Sequence, residues 1–304
     1  MVRWPPICRL LWQVCFYNSK YTFSPEKGVQ TLNFPRRGGD FSTIMGRSRF
    51  GGRLLIGIIM AIVALIGYFS KTQVNPVTGE KQHVNLTPQE EVALGLQSAP
   101  QMAAEFGGLY QDPKVQALVK KVGQGIVQNT EVKNSPYQFD FHVLADPETI
   151  NAFAVPGGQI FITMGLLKRL KSEDQLAGVL GHEIGHVIGR HSAEQMAKQE
   201  LLGGLAGAAS VALSDPNSPN GSAYIAQYVA NLVNLKYGRD DELESDDFGV
   251  KYMVATGRNP EAMIEVMDIL AQAGGPNRPA EFQSTHPSPE NRVMKIKEAM
   301  AKYR

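Results

Sequence analysis

The 304 residues carry 30 Lys and Arg against 29 Asp and Glu, with 43% hydrophobic and 19% charged residues. This is the composition of a folded chain with one large domain or two small ones, and a formal net charge of +1 gives no footing for nucleic acid as a partner. Cys8 and Cys15 are the only cysteines, which excludes a disulfide framework and a thiolate metal site from the rest of the chain, so any metal must be held by His and carboxylate.

Residues 1–44 mix Trp, Pro, Arg and Tyr without helical or strand period. They read either as an over-extended start, with Met45 the true first residue, or as a disordered tail. Residues 45–70 read as a signal anchor. Leu54 to Phe69 is an unbroken apolar run behind Arg47, Arg49 and Arg53, and no A-x-A cleavage site follows. The arginines place the N-terminal flank in the cytoplasm and the bulk of the chain outside it. The next stretch, KTQVNPVTGEK, reads as a loop.

From residue 71 to 304 the pattern is that of one folded domain. Thr87-Pro88-Gln89-Glu90 is a capping box that opens a helix, which Pro100 is expected to kink or end. Asp112-Pro113 opens another, with Val115, Leu118, Val119 and Val122 on one face. Tyr137 to Leu144 alternates as a half-buried strand, with His142 on its solvent side. Ala152–Val155 and Gln159–Thr163 read as two strand pieces around the turn Pro156-Gly157-Gly158. Asn151, Ala152, Phe153 and Ala154 are candidate substrate-binding residues, because an edge strand here can take up an extended peptide by strand addition; the alternative is an ordinary core hairpin.

Ser172-Glu173-Asp174-Gln175 is a second capping box, opening a helix expected to run to about Lys198. It contains His182-Glu183-Ile184-Gly185-His186, the pattern H-E-x-x-H. Helical spacing puts the two histidines one turn apart on one face, able to hold one Zn²⁺, with Glu183 beside them as a general base. His191 lies off that face and reads as a packing or hydrogen-bonding residue. Residues 201–213 form a second apolar run, too short and too rich in Gly and Ala for a span; it reads as a helix packed on the domain or a flap at the membrane surface. A turn-rich loop and an apolar helix, Tyr224 to Leu235, come next. In the acidic run that follows, Glu242 and Asp246 are at i and i+4. One can be the third ligand while the other accepts a ligand histidine's ring N–H, and Glu244 points elsewhere. A solvated acidic face is the competing reading.

H-E-x-x-H followed about 55 residues later by R-x-x-E-x-E-S-D-x-x-G, with N-A-F-A-x-P-G-G-x-I upstream and T-H-P-S-P-x-x-R downstream, resembles the membrane-associated gluzincin metallopeptidases. That group includes HtpX-type stress proteases, periplasmic quality-control proteases and CAAX prenyl proteases. The resemblance covers about residues 85–300. It implies an α+β fold: a mostly helical zincin-like domain with a small mixed or antiparallel sheet next to the H-E-x-x-H helix. It further implies that Glu242 is the third zinc ligand, that Asp246 supports a ligand histidine, and that His286 faces the site, where it can approach the metal and regulate it. The single membrane segment points to the single-anchor bacterial branch, with the catalytic domain on the periplasmic side of the cytoplasmic membrane.

The expected activity is therefore zinc-dependent endopeptidase cleavage of protein or peptide substrates, misfolded ones in particular. Glu183 serves as general base, and His286 or Arg292 assists the oxyanion. Two alternatives stand beside it: a membrane-anchored, non-proteolytic chaperone or assembly factor with a capped zinc site, and a different zinc hydrolase.

Overall fold

The computed structural model describes residues 42–213, 237–273, 282, 285–286 and 291–304. The chain divides into two compact units at Gly46–Arg47. Of the first, only Ser42–Gly46 at the start of one helix is described, so the reading of residues 1–41 lies outside the described residues, as does the expected helix at 224–235 in the second. All that follows concerns the second unit.

Helix α1 spans Ser42–Ser70. Its segment Gly51–Ser70 has a mean hydropathy of 2.2 and is long and apolar enough to cross a membrane. Leu55, Val63, Ile66 and Phe69 are exposed along it, a surface that water does not reward. The stretch read as a loop forms a hairpin instead, β1 (Thr72–Val74) paired antiparallel with β2 (Lys81–His83). Helix α2 (Pro88–Glu105) starts at the expected capping box, Thr87 N donating to Glu90 Oε2 at 2.7 Å. Pro100 does not end it; the residue is exposed and the helix continues to Glu105. Helix α3 (Pro113–Asn129) begins as expected, with Asp112 accepting from Lys114 N.

The main sheet has the order β3-β5-β4: β3 (Asp140–Leu144) runs parallel to β5 (Gln159–Thr163), and β4 (Ala152–Ala154) is antiparallel to it. The sheet is therefore mixed and β4 is an edge strand. His142 lies on the less buried side of the alternating strand, half-buried, 2.9 Å from Gln159 Oε1 and stacked on Phe161. The link between β4 and β5 turns at Gly157, whose φ of 83° is open to glycine at little cost. A short helix α4 (Met164–Leu167) leads to α5 (Glu173–Ile188). Val119, Val122 and Ile126 of α3, Phe141 and Val143 of β3, Ile160 and Ile162 of β5, and Leu176, Leu180 and Ile184 of α5 form one buried core.

The helix expected to continue to Lys198 stops at Ile188. Arg190 takes a left-handed φ of 59°, and a new helix, α6, runs from His191 to Leu213. The second apolar run is the far half of α6 rather than a separate element. Among the described residues three more helices follow: α7 (Arg239–Ala255), α8 (Ala262–Ala273) and α9 (Arg292–Tyr303).

Candidate metal centre

Helix α5 is capped by Ser172, whose side chain accepts from Gln175 N at 3.1 Å. The expected box is only half made, because the Gln175 side chain accepts from Lys171 N and donates to Glu265. The helix is buried from Gln175 onward. Two glycines let α7 come close: a Cβ on Gly181 would lie 3.3 Å from the Gly249 Cα, and one on Gly185 would lie 2.9 Å from the Ser245 Cα. This backbone contact carries the acidic face of α7 onto the histidine face of α5. Glu242, Ser245 and Asp246 are buried, which rules out a solvated acidic surface for that face.

His182, His186, Glu242 and His286 converge, with one donor atom from each lying within 4.8 Å of the others. His182 Nε2 is 3.0 Å from His186 Nε2 and 3.4 Å from His286 Nδ1. Glu242 Oε2 is 3.5 Å from His182 Nε2, and Glu242 Oε1 is 3.4 Å from His186 Nε2 and 2.9 Å from His286 Nδ1. Ligands about 2.0–2.1 Å from a tetrahedral zinc sit roughly 3.3 Å from one another. The donor set and its spacing therefore fit a zinc ion. Both oxygens of Glu183 are buried with no hydrogen-bond partner, a costly state for a carboxylate that serves no other group.

Each H-E-x-x-H histidine has its own outer support. His182 Nδ1 is 2.9 Å from Asp246 Oδ1, and Asp246 in turn accepts from Arg292 Nε at 2.6 Å. His186 Nδ1 is 2.9 Å from His191 Nδ1, and His191 Nε2 is 2.9 Å from Glu244 Oε2. A proton on Nδ1 of each ligand histidine satisfies both chains and leaves each Nε2 lone pair for a metal. Arg292 was a candidate oxyanion stabiliser, but its guanidinium is committed to Asp246 and sits 3.0 Å from Glu242 Oε2. Burial raises the Glu183 carboxyl. Burial also acts against charge on Glu242, yet the surrounding imidazoles, His286 first and then His182 and His186, hold it well below the usual carboxylate range.

His286 lies inside the cluster, stacked on Phe282 with ring centroids 4.3 Å apart, and its Nε2 is 3.8 Å from Glu183 Oε1. Tyr237 N donates to Thr285 O, and Phe282 N donates to Ile150 O at 3.1 Å, next to the edge strand. Tyr237 was not anticipated: its ring stacks on His186 at 3.9 Å and its hydroxyl meets Ser192. No spacing rule marks it, because it acts across the fold. Asn151, Ala152, Phe153 and Ala154 are all buried, with Asn151 Oδ1 unpartnered.

An H-E-x-x-H helix on a mixed sheet, completed by a carboxylate from a second helix, defines a zincin-type metallopeptidase domain. The chain belongs to peptidase family M48, which matches it over residues 113–300. It is 29% identical over 248 residues to the beta-barrel assembly-enhancing protease of Yersinia pestis, covering 79% of this chain and 50% of that protein. It is also 29% identical over 235 residues to the mitochondrial metalloendopeptidase OMA1 of Schizosaccharomyces pombe, covering 76% of this chain and 67% of the relative. The Escherichia coli K12 beta-barrel assembly-enhancing protease is 28% identical over 193 residues, with 61% of this chain and 39% of that protein covered.

Proposed function

We propose that this chain is a zinc-dependent endopeptidase of extracytoplasmic protein quality control, holding one Zn²⁺ through His182, His186 and Glu242. The observation that carries the reading is the buried cluster of donors at tetrahedral spacing, with unpartnered carboxylate oxygens turned into it. When bound by these residues, zinc would polarise the scissile carbonyl and acidify a water molecule. Glu183 takes a proton from the attacking water and passes it to the leaving amine. Asp246 and His191 hold the two ligand rings in orientation. The apolar helix Gly51–Ser70, with Arg47 and Arg49 before it and Arg53 in its first turn, supports a single-pass anchor in a bacterial cytoplasmic membrane with the domain on the periplasmic or extracytoplasmic side. Misfolded proteins are the substrates that such a location and family membership favour.

The edge position of β4 supports strand addition of substrate along Asn151–Ala154. The chain at Phe282 holds the start of that edge through Ile150, so an incoming peptide has to displace it. Glu183→Gln is expected to retain zinc and lose casein cleavage by 10²-fold or more. Unchanged cleavage would refute the mechanism.

One observation favours a second reading. His286 Nδ1 occupies the fourth position of the donor set, which closes the site. A permanent cap would make the protein a membrane-anchored chaperone or assembly factor. Casein assays of the wild type and His286→Ala separate the two: higher activity in the variant identifies a regulatory cap, and no activity in either identifies the non-proteolytic protein.

A further inference from the structure

Helix α5 ends two residues after His186, and its last carbonyls have no partner within the helix. Gly189 N and Arg190 N reach the carbonyls of Gly185 and Val187, and the hairpin that directly follows the membrane helix meets those of Ile188 and Gly189. Asn75 Nδ2 donates to Ile188 O at 2.8 Å, and Gln82 Nε2 donates to Gly189 O at 2.5 Å. Asn75 Nδ2 also donates to Gln82 Oε1, while Asn75 Oδ1 accepts from Val77 N and Thr78 N. Both side chains are buried; Asn75 uses both donors and both acceptor positions, and Gln82 accepts from Asn75 while donating to the helix end.

Arg190 closes the same joint from the other side. It is 1% exposed and holds a left-handed backbone that favours glycine. Its guanidinium donates to Glu91 Oε1 through Nε at 2.8 Å, to Leu86 O at 2.6 Å and to Gln73 Oε1 at 3.3 Å. Gln73 is in β1, and Leu86 and Glu91 flank the start of α2. His191, which supports His186, is the next residue. The hairpin in turn touches the end of the membrane helix: His83 stacks on Tyr68 at 4.9 Å and meets Phe69 edge-on at 5.6 Å.

We propose that the juxtamembrane hairpin is a working part of the metal centre. Asn75 and Gln82 cap the metal helix, and Arg190 pins the turn behind it, so that His186 and its support His191 are set by residues that adjoin the anchor. All of the hairpin residues precede residue 113, where the family match begins. The coupling to metal binding rests on the zinc reading above; the clamp itself does not. Asn75, Gln82 and Arg190 are positioning residues, since none touches the donor cluster.

The test uses the full-length chain in detergent, with Asn75→Ala/Gln82→Ala as the main variant and Gln82→Ala alone as a milder one. Gln116→Ala is the matched control: it removes three hydrogen bonds, to Tyr110 O and to the Val143 backbone, at strand β3 away from α5. Hydrogen exchange over residues 184–192 is expected to quicken at least tenfold in the hairpin variants and to stay unchanged in Gln116→Ala. Zinc affinity by chelator competition should weaken about tenfold, the scale of lost outer support to a ligand histidine, with kcat lower and KM unchanged. Wild-type protection of 184–192 in the hairpin variants, or an equal loss in Gln116→Ala, overturns the clamp. Zinc affinity that stays unchanged while protection is lost overturns its role at the metal. A wild-type chain that binds no zinc refutes the proposed function instead, and the exchange data still decide the clamp.

Discussion

Asp246→Ala tests whether the outer support of His182 is as central as its geometry makes it. Asp246 receives three contacts, from His182 Nδ1 at 2.9 Å and from Arg292 Nε and Nη2 at 2.6 and 2.9 Å. Removing the carboxylate leaves the buried Arg292 facing one remaining acid, Glu242, at 3.0 Å. Breaking a buried ion pair from one side costs about 3–5 kcal/mol, most of it from the stranded charge. The His182 ring also loses its orienting acceptor, which lowers metal affinity by about 10–100-fold, or about 1.4–2.7 kcal/mol. Urea unfolding followed by circular dichroism reads the first quantity and chelator competition the second. Because the cost is mainly stranded charge, Asp246→Ala/Arg292→Met should be less destabilised than the sum of the two single variants, by about 1–3 kcal/mol. A single-variant loss below about 1 kcal/mol, or strict additivity in the double variant, would show that the triad does not hold the site in this way.

Two further substitutions probe the scaffold. In Gly157→Ala the new Cβ would sit 2.3 Å from the Val92 Cα at a φ of 83°, so both backbone strain and overpacking against α2 apply. A loss of about 3 kcal/mol or more, roughly 10 °C in a thermal melt, is expected, and a shift under about 3 °C contradicts the close approach. The third prediction concerns pH. Burial pushes Glu91 up to about 7 from an ordinary value of 4.5, against the pull of Arg190. The folded state then binds this proton more tightly than the unfolded chain, so the contribution is fully present below about pH 4.5 and is lost as pH rises through about 7. Relative to Glu91→Gln, the wild type should lose up to about 3 kcal/mol across that window; a wild-type-minus-variant difference that stays flat with pH refutes it.

What could be read from residue order was whatever depends on local spacing. Thr87 and Glu90, Asp112 and Ser172 mark helix starts because a cap is a contact over two or three residues. His182 and His186 share a face because the helical repeat demands it, and the same repeat pairs Glu242 with Asp246. Even so, the spacing left both α7 acids as possible ligands. Their different places, Glu242 among the histidine nitrogens and Asp246 behind His182, follow from the approach that Gly181 and Gly185 permit.

Where local rules failed, a long-range contact had overridden them. Helix-forming residues resume after Gly189, yet the chain turns there, where a glycine weakens the helix and Arg190 finds Glu91, Gln73 and Leu86, partners about a hundred residues earlier. KTQVNPVTGEK looks like a loop because Asn75, Pro76 and Gly79 mark a turn; the distant partners of Asn75 and of Gln82 just after the stretch, the carbonyls of Ile188 and Gly189, leave no mark in the local pattern. The sequence alone was enough to identify a helix that can bind zinc. Only the tertiary structure, by burying that helix and meeting its polar atoms from α7, from His286 and from the hairpin after α1, decided which side-chain atoms converge in the donor cluster and what holds them there.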